Sequence, residues 1–311
     1  MKVRTLFFGS GSFAIEILKA LNELEFVDLV GIVTQPDKPF GRNKELKATE
    51  LGEYVQSHLS HIEVFKPEKI RSEGDGILNK TKPELIIVAA YGQIIPNSVL
   101  EYPEYKCLNL HGSILPELRG AVPVQMAILS GLSETGVTLQ VMSEKMDEGN
   151  IIKSSKIEIR SSKNSETLMN ELSFLGAKIL KDALLDYIEG RITPVPQDHS
   201  KATYCYKEDL SKEKAEITGG TTIEQAERMV RAFYPWPLAW FKNKEGKIIQ
   251  IHSAKISDLE SNFDPFTVFR KGKTLYLQLK DGNLELEEVK IEGKPAMKSP
   301  EYLFMSESTL I

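Results

Sequence analysis

The chain has 311 residues, 41% of them hydrophobic and 27% charged, with a formal net charge of −5. That length exceeds one ordinary domain and suits two, and the composition is that of a globular protein able to bury sizeable cores. The acidic balance excludes a broadly basic nucleic-acid-binding surface, so any nucleic-acid contact must come from local basic patches. Met1-Lys2-Val3-Arg4 leads into an apolar run of only about six residues, too short for a secretory h-region or a membrane span. A cytoplasmic location and no membrane partner are therefore expected. Two cysteines, Cys107 and Cys205, match neither a metal spacing nor a disulfide framework. Cys107 reads as a buried small hydrophobe.

In chain order, Val3–Phe8 is a compact apolar run suited to a buried parallel strand. A helix over Phe13–Leu24 follows, with Ile15, Leu18, Leu21 and Leu24 at helical spacing, and then a second buried strand, Val27–Thr34. Helices near Thr49–His58 and Pro67–Asn79 flank a short extended piece at Ile62–Phe65, before strands Leu85–Ala90 and Lys106–His111. Strands separated by helices of this length imply βαβ units, and hence an α/β fold: a Rossmann-like, mostly parallel sheet with helices on both faces. Beyond a helical run at Val124–Leu129, strands Thr135–Met142 and Ile151–Ile159 precede an amphipathic helix, Ser165–Ile188, closed by Gly190. Thr193-Pro194-Val195-Pro196-Gln197-Asp198 is extended and proline-bearing, as interdomain connections are. After a helix over Thr222–Ala232, short β-rich runs at Ile248–Ile256, Phe266–Phe269, Leu275–Leu279 and Leu284–Ile291 suggest a C-terminal OB-like β-barrel.

Gly9-Ser10-Gly11-Ser12-Phe13-Ala14 fits the G-x-G-x-x-A dinucleotide fingerprint at a strand-to-helix turn. The acidic residue expected about 20 residues on, at the end of the second strand, is replaced by Val33-Thr34-Gln35. A tight turn with close helix packing is the expectation, and no NAD. In Lys106–His111, side chains at i and i+2 share a face, so Asn109 and His111 project together while Leu108 and Leu110 face the opposite layer. A carboxamide beside an imidazole, where a strand opens into a loop, stands where open α/β sheets bind ligands. Taken alone, Asn-x-His is as readily a polar pair at a frayed strand end, and Asp147 and Glu148 are indistinguishable turn acids.

The wider stretch resembles a family. Asn109-Leu110-His111-Gly112-Ser113, with Leu115-Pro116, Arg119-Gly120, Pro123 and Gln125, is similar to the signature of the folate-dependent formyltransferases. Asp147-x-Gly149 resembles the family's Asp-x-Gly, which selects Asp147 as the third member of a catalytic trio with Asn109 and His111. Thr34-Gln35-Pro36-Asp37, Pro39 and Gly41-Arg42 look like the loop inserted after the second strand in the branch that acts on initiator methionyl-tRNA. The resemblance therefore implies tRNA contact by Lys38, Arg42, Lys44 and Lys47. It further implies a folate pocket lined by Ala90, Tyr91 and Gly92 and by Ser113, Ile114, Leu115 and Pro116. Thr203-Tyr204, Asp209–Glu213, Arg231-Ala232-Phe233-Tyr234-Pro235-Trp236-Pro237 and Lys294-Pro295-Ala296-Met297 extend the likeness to the C-terminal end. Glu117-Leu118 stands where the family commonly has Arg-Trp.

The implied organisation is a catalytic domain at 1–190, a linker at 191–207 and a tRNA-binding OB-like barrel at 208–311. The implied formyl donor is 10-formyltetrahydrofolate, the acceptor is the methionyl amine of initiator tRNA, and neither a metal nor NAD takes part. A monomer is expected. Attack of an amine on the formyl carbon puts negative charge on oxygen, which preorganised donors stabilise. Asn109 and a protonated His111 could donate to it, with Asp147 relaying the amine's proton through water. A sugar-nucleotide N-formyltransferase, a formyltetrahydrofolate hydrolase and a non-enzymatic binding module are the rival readings.

Overall fold

The computed structural model describes residues 2–40, 45–243 and 246–299. Its elements begin with β1 (Val3–Gly9), α1 (Phe13–Asn22), β2 (Val27–Val33), β3 (Lys38–Phe40), β4 (Glu45–Lys47), α2 (Glu50–His58) and β5 (Val64–Phe65). Next come α3 (Ile70–Thr81), β6 (Leu85–Ala89), α4 (Asn97–Leu100), β7 (Cys107–His111), β8 (Arg119–Gly120) and α5 (Pro123–Leu129). Then follow β9 (Glu134–Val141), β10 (Ile151–Glu158), α6 (Ser165–Ile188) and β11 (Tyr204–Cys205). The chain folds as two compact units. The first comprises Met1–Pro123, Glu134–Glu158 and Met169–Cys205; the second comprises Val124–Ser133, Ile159–Leu168 and Tyr206–Ile311.

The first unit is built on a seven-stranded sheet in the order β10-β9-β7-β6-β1-β2-β5. The five strands from β7 to β5 are parallel, and β9 and β10 run antiparallel at one edge. Near-continuous apolar sequence suits the central strands because both of their faces are covered. On one face Leu6, Phe8, Ile86, Val88 and Cys107 pack with Ile70, Ile77 and Leu78 of α3 and Val99 and Leu100 of α4. On the other, Gly176 of α6 lies close against Ile17 of α1 and Leu110 of β7. Cys107 is buried and its thiol pKa is pushed up by burial, as a small hydrophobe's should be.

A Cβ on Gly9 would stand 2.7 Å from the Ala14 Cβ and 3.0 Å from the Ala89 carbonyl oxygen, so this glycine lets α1 and β6 approach closely. Gln35, at the position where a dinucleotide fold carries its acid, donates instead from Nε2 to the Tyr91 carbonyl at 2.9 Å. Two local expectations shift. The helix predicted from Pro67 starts at Ile70, because Glu73 Oε1 caps the Lys69 N–H, and it runs on to Thr81, where Lys82 turns left-handed (φ 43°). The loop after β2 contains a two-stranded antiparallel piece, β3 with β4.

The second unit carries α7 (Ile223–Ala232), β12 (Ala239–Lys242), β13 (Ile248–Ser257), β14 (Thr267–Lys271), β15 (Thr274–Leu279), β16 (Gly282–Ile291) and β17 (Ala296–Lys298). These form one antiparallel sheet, β12-β13-β16-β15-β14, with β17 on β16, the OB-like unit expected from the sequence. Register shifts at Ser253 mark a bulge in β13, which bends a long strand. Ile223, Ala226 and Val230 of α7 pack into its core with Phe241, Ile249, Ile251 and Leu277. Thr222 and Gln225 close the start of α7 with a reciprocal capping box.

Candidate active site

The site begins with a register. In β7 against β9, Asn109 stands opposite Gln140 and His111 opposite Thr138. Paired residues share a face, so four polar side chains meet there, at the end of β7 where the parallel strands finish. All four are buried. Thr138 Oγ1 donates to the Ser113 carbonyl at 2.8 Å and accepts from the Leu115 N–H at 3.1 Å, which fixes the backbone leaving the strand.

Asp147 reaches this patch from the turn between β9 and β10, with a left-handed backbone (φ 55°). Its Oδ1 accepts from Gln140 Nε2 at 3.0 Å and from Asn109 Nδ2 at 3.5 Å. Its Oδ2 accepts from the Gly120 N–H at 2.8 Å and lies 3.6 Å from His111 Nδ1. The other ring nitrogen, His111 Nε2, is 2.8 Å from the Leu118 carbonyl, which can only accept, so Nε2 carries hydrogen. The structure thus brings Asn109, His111 and Asp147 together. Both His111 nitrogens face protein groups, and the carboxamide of Asn109 keeps a second N–H for a ligand.

Gly120 is held in place by β8, which pairs with β11 so that Arg119 lies beside Tyr204 and Gly120 beside Cys205. A side chain there would meet the Cys205 carbonyl oxygen at 2.0 Å, and φ is 118°, so only glycine fits. Arg119 is fully buried. Its Nε and Nη2 donate to Gln197 Oε1 at 3.1 and 2.7 Å, its Nη1 donates to Tyr204 Oη at 3.1 Å, and Glu148 lies 3.4 Å away. Glu117-Leu118 acts largely through its backbone: the Leu118 carbonyl takes His111, and the Glu117 carbonyl accepts from Ser113 Oγ at 2.6 Å.

Among the expected folate residues, Ser113 and Leu115 are buried while Ile114 and Pro116 are half-buried, and the Leu115–Pro116 bond is cis. Ala90 and Gly92 are exposed at the end of β6 with positive φ. Tyr91 is turned into the core against Phe8, with burial raising its hydroxyl pKa, so at this position the backbone rather than the ring faces outward. Gly92 and Gln93 also line a cleft of about 500 Å³ with Gln35, Pro36, Asp37, Lys38, Pro39 and Glu68. Of the expected tRNA contacts, Lys38 and Lys47 stand directly opposite each other across β3 and β4. Arg42 and Lys44 lie outside the described residues. Among the described residues, no group of three or more His, Cys, Asp or Glu could hold a metal ion, and no helix is long and apolar enough to cross a membrane.

The formyl transferase family pattern matches residues 1–184, and the pattern for the formyl transferase C-terminal domain matches residues 209–305. The methionyl-tRNA formyltransferase of Hydrogenobaculum sp. is 39% identical over 300 residues, 94% of this chain and 94% of that protein. The Bacillus subtilis enzyme of the same name is 36% identical over 305 residues, 96% of this chain and 94% of its own. The chain belongs to the methionyl-tRNA formyltransferase family.

Solved structures share the fold of this family at lower identity. HypX from Aquifex aeolicus, in complex with tetrahydrofolic acid, superposes with a TM-score of 0.65 at 18% identity over 98% of this chain and 47% of that one. WlaRD, a sugar 3N-formyl transferase, gives 0.66 at 16% identity over 95% of this chain and 100% of its own. Beyond the residues expected from the sequence, the buried polar cluster around Asp147 and His111 takes in three further side chains: Gln140, Thr138 and Gln197. A signal for the first two existed, since Thr138 and Gln140 alternate with Val137 and Leu139. Gln197 carried none, because nothing local marks a glutamine in a proline-bearing extended segment as buried.

Proposed function

We propose that the chain transfers a formyl group from 10-formyltetrahydrofolate to the amino group of methionyl-initiator-tRNA, with Asn109, His111 and Asp147 as its catalytic residues. Relatives of that activity align through both units. The observation that carries the chemistry is the convergence of a carboxamide, an imidazole and a carboxylate on one buried patch at the C-terminal end of β7. The substrate amine is the nucleophile, so no serine or cysteine is needed, and Cys107 and Cys205 are both buried.

Asn109 presents its second N–H to the formyl oxygen, where negative charge collects as the amine's lone pair forms the new C–N bond. Asp147 takes the proton released by the amine through a water, and His111 Nδ1, 3.6 Å away, shares it. When the carbon–nitrogen bond to the folate breaks, that proton goes to the departing nitrogen. Gly120 and Gln140 hold the carboxylate throughout, so little reorganisation accompanies the reaction. The Ser113–Pro116 backbone and the exposed edge of Ala90 and Gly92 offer a flat pterin a slot of backbone and small or apolar groups.

Residues 1–190 then form the catalytic domain, 191–207 the connection and 208–311 the tRNA-binding barrel of a monomeric, cytoplasmic enzyme. Support for phosphate contact by the β3–β4 piece is the placing of two lysines, Lys38 and Lys47, directly opposite each other on one short exposed ribbon, with Lys47 3.8 Å from Glu53. Incubation with labelled 10-formyltetrahydrofolate and charged initiator tRNA tests the reading. Label in the methionyl amide is expected, and label appearing only as free formate would point to hydrolysis instead.

A further inference from the structure

We propose that Gln197 is a positioning residue that sets the aim of the Asp147 carboxylate. Its carboxamide is used completely. Oε1 accepts from Arg119 Nε and Nη2, while Nε2 donates to the Asp147 carbonyl at 2.8 Å and to the Gly149 carbonyl at 2.7 Å. One side chain thus joins a buried guanidinium to two carbonyls of the turn that carries the catalytic carboxylate. Gln197 itself is 6% exposed, so these bonds face little competition from water.

Its own place is fixed from both sides. Val195 bridges Ile151 at the start of β10, each N–H donating to the other's carbonyl at 2.8 Å. Farther along, Tyr204 and Cys205 pair with Arg119 and Gly120. The residue after Arg119 is the one whose N–H reaches Asp147 Oδ2. The strand pair β8–β11 therefore grips the Asp147 turn twice, by the Gly120 N–H on the carboxylate and by Arg119 through Gln197 on the backbone. Both holds act on a residue whose backbone is left-handed, a conformation that surrounding contacts keep in place.

Glutamine is the side chain this arrangement calls for. Glutamate would satisfy Arg119 but would turn a carboxylate oxygen toward two carbonyls, losing both donors to the turn. That difference separates positioning from folding, because Gln197→Glu keeps the buried arginine paired. A displacement of the order of 1 Å in a reacting group costs about 10²-fold. The inference rests on the formyl-transfer reading, and the full-length protein is used for its test.

Gln197→Glu should lower kcat for methionyl-tRNA by about 10–10²-fold with KM for 10-formyltetrahydrofolate little changed. In an Asp147→Ala background the same substitution should cost nothing further, as expected when one residue acts through the other. Amide hydrogen exchange at Gly120, whose N–H is held by Asp147, should quicken in Gln197→Glu. Unchanged kcat and Gly120 exchange, or a loss that multiplies fully with Asp147→Ala, would overturn the proposal. A wild-type protein inactive on methionyl-tRNA would refute the formyl-transfer reading, and Gly120 exchange would then still decide whether Gln197 holds the turn.

Discussion

His111 is held at Nε2 by the Leu118 carbonyl, and its Nδ1 faces the Asp147 carboxylate 3.6 Å away. The bond at Nε2 sets the ring's orientation and leaves Nδ1 toward Asp147 before substrate arrives, which favours preorganised catalysis over rearrangement at each turnover. Removing a preorganised donor costs about 10²–10³ in rate. Asn109→Ala should therefore reduce kcat by about that factor, and His111→Ala and Asp147→Ala by at least as much. Circular dichroism melts near the wild-type transition would accompany these losses. Near-native turnover in any of the three would remove that residue's assigned role. Asn109 and His111 were legible as a pair because a strand alternates with period two. Asp147 was not: two adjacent acids in a turn look alike, and only the resemblance to Asp-x-Gly separated them. The arrangement shows the distinction physically, since Asp147 turns inward to Gly120 and Gln140 while Glu148 meets Arg119 and Tyr204.

At the scale of elements, the strands and helices were readable wherever apolar spacing repeats, and α6 occupies Ser165–Ile188 as its stripe predicts. Short pairings such as β8 with β11 were not, because two residues contain no period. The same limit hid Gln197, whose burial depends on a pairing 78 residues away in sequence. In the second unit, β13 places the His252 ring at a steep angle to that of Tyr234, its Nε2 buried without a partner among the described residues. Burial lowers its pKa from the ordinary 6.5; Glu288 opposes that shift and Lys290 adds to it. The unfolded chain then takes up a proton first as pH falls. The stabilising contribution is full above 6.5 and is lost as pH drops through the lower folded value. Chemical denaturation followed by Trp236 and Trp240 fluorescence should show a stability loss over that acidic window. His252→Gln should flatten it, and an identical pH dependence in the variant would assign the effect elsewhere.

At the scale of the whole molecule, a chain of net charge −5 that binds a polyanion must do so through few, local contacts. Each phosphate contact contributes about 0.7–0.9 to the salt slope of log K, so a shallow slope is expected. Lys38→Ala or Arg42→Ala should lower the slope further while weakening binding. A steep slope that neither substitution changes would put the tRNA on another surface. Selectivity for the initiator is then expected to rest on the shape and unpaired end of the acceptor stem, because indiscriminate phosphate attraction is weak in so acidic a protein. The most direct test is a competition among acceptors: labelled 10-formyltetrahydrofolate with charged initiator tRNA, charged elongator tRNA and a nucleotide-linked amino sugar in one reaction. Label should enter the initiator's methionyl amide far ahead of the other two. Preferential labelling of the amino sugar, or release of formate alone, would contradict the assignment.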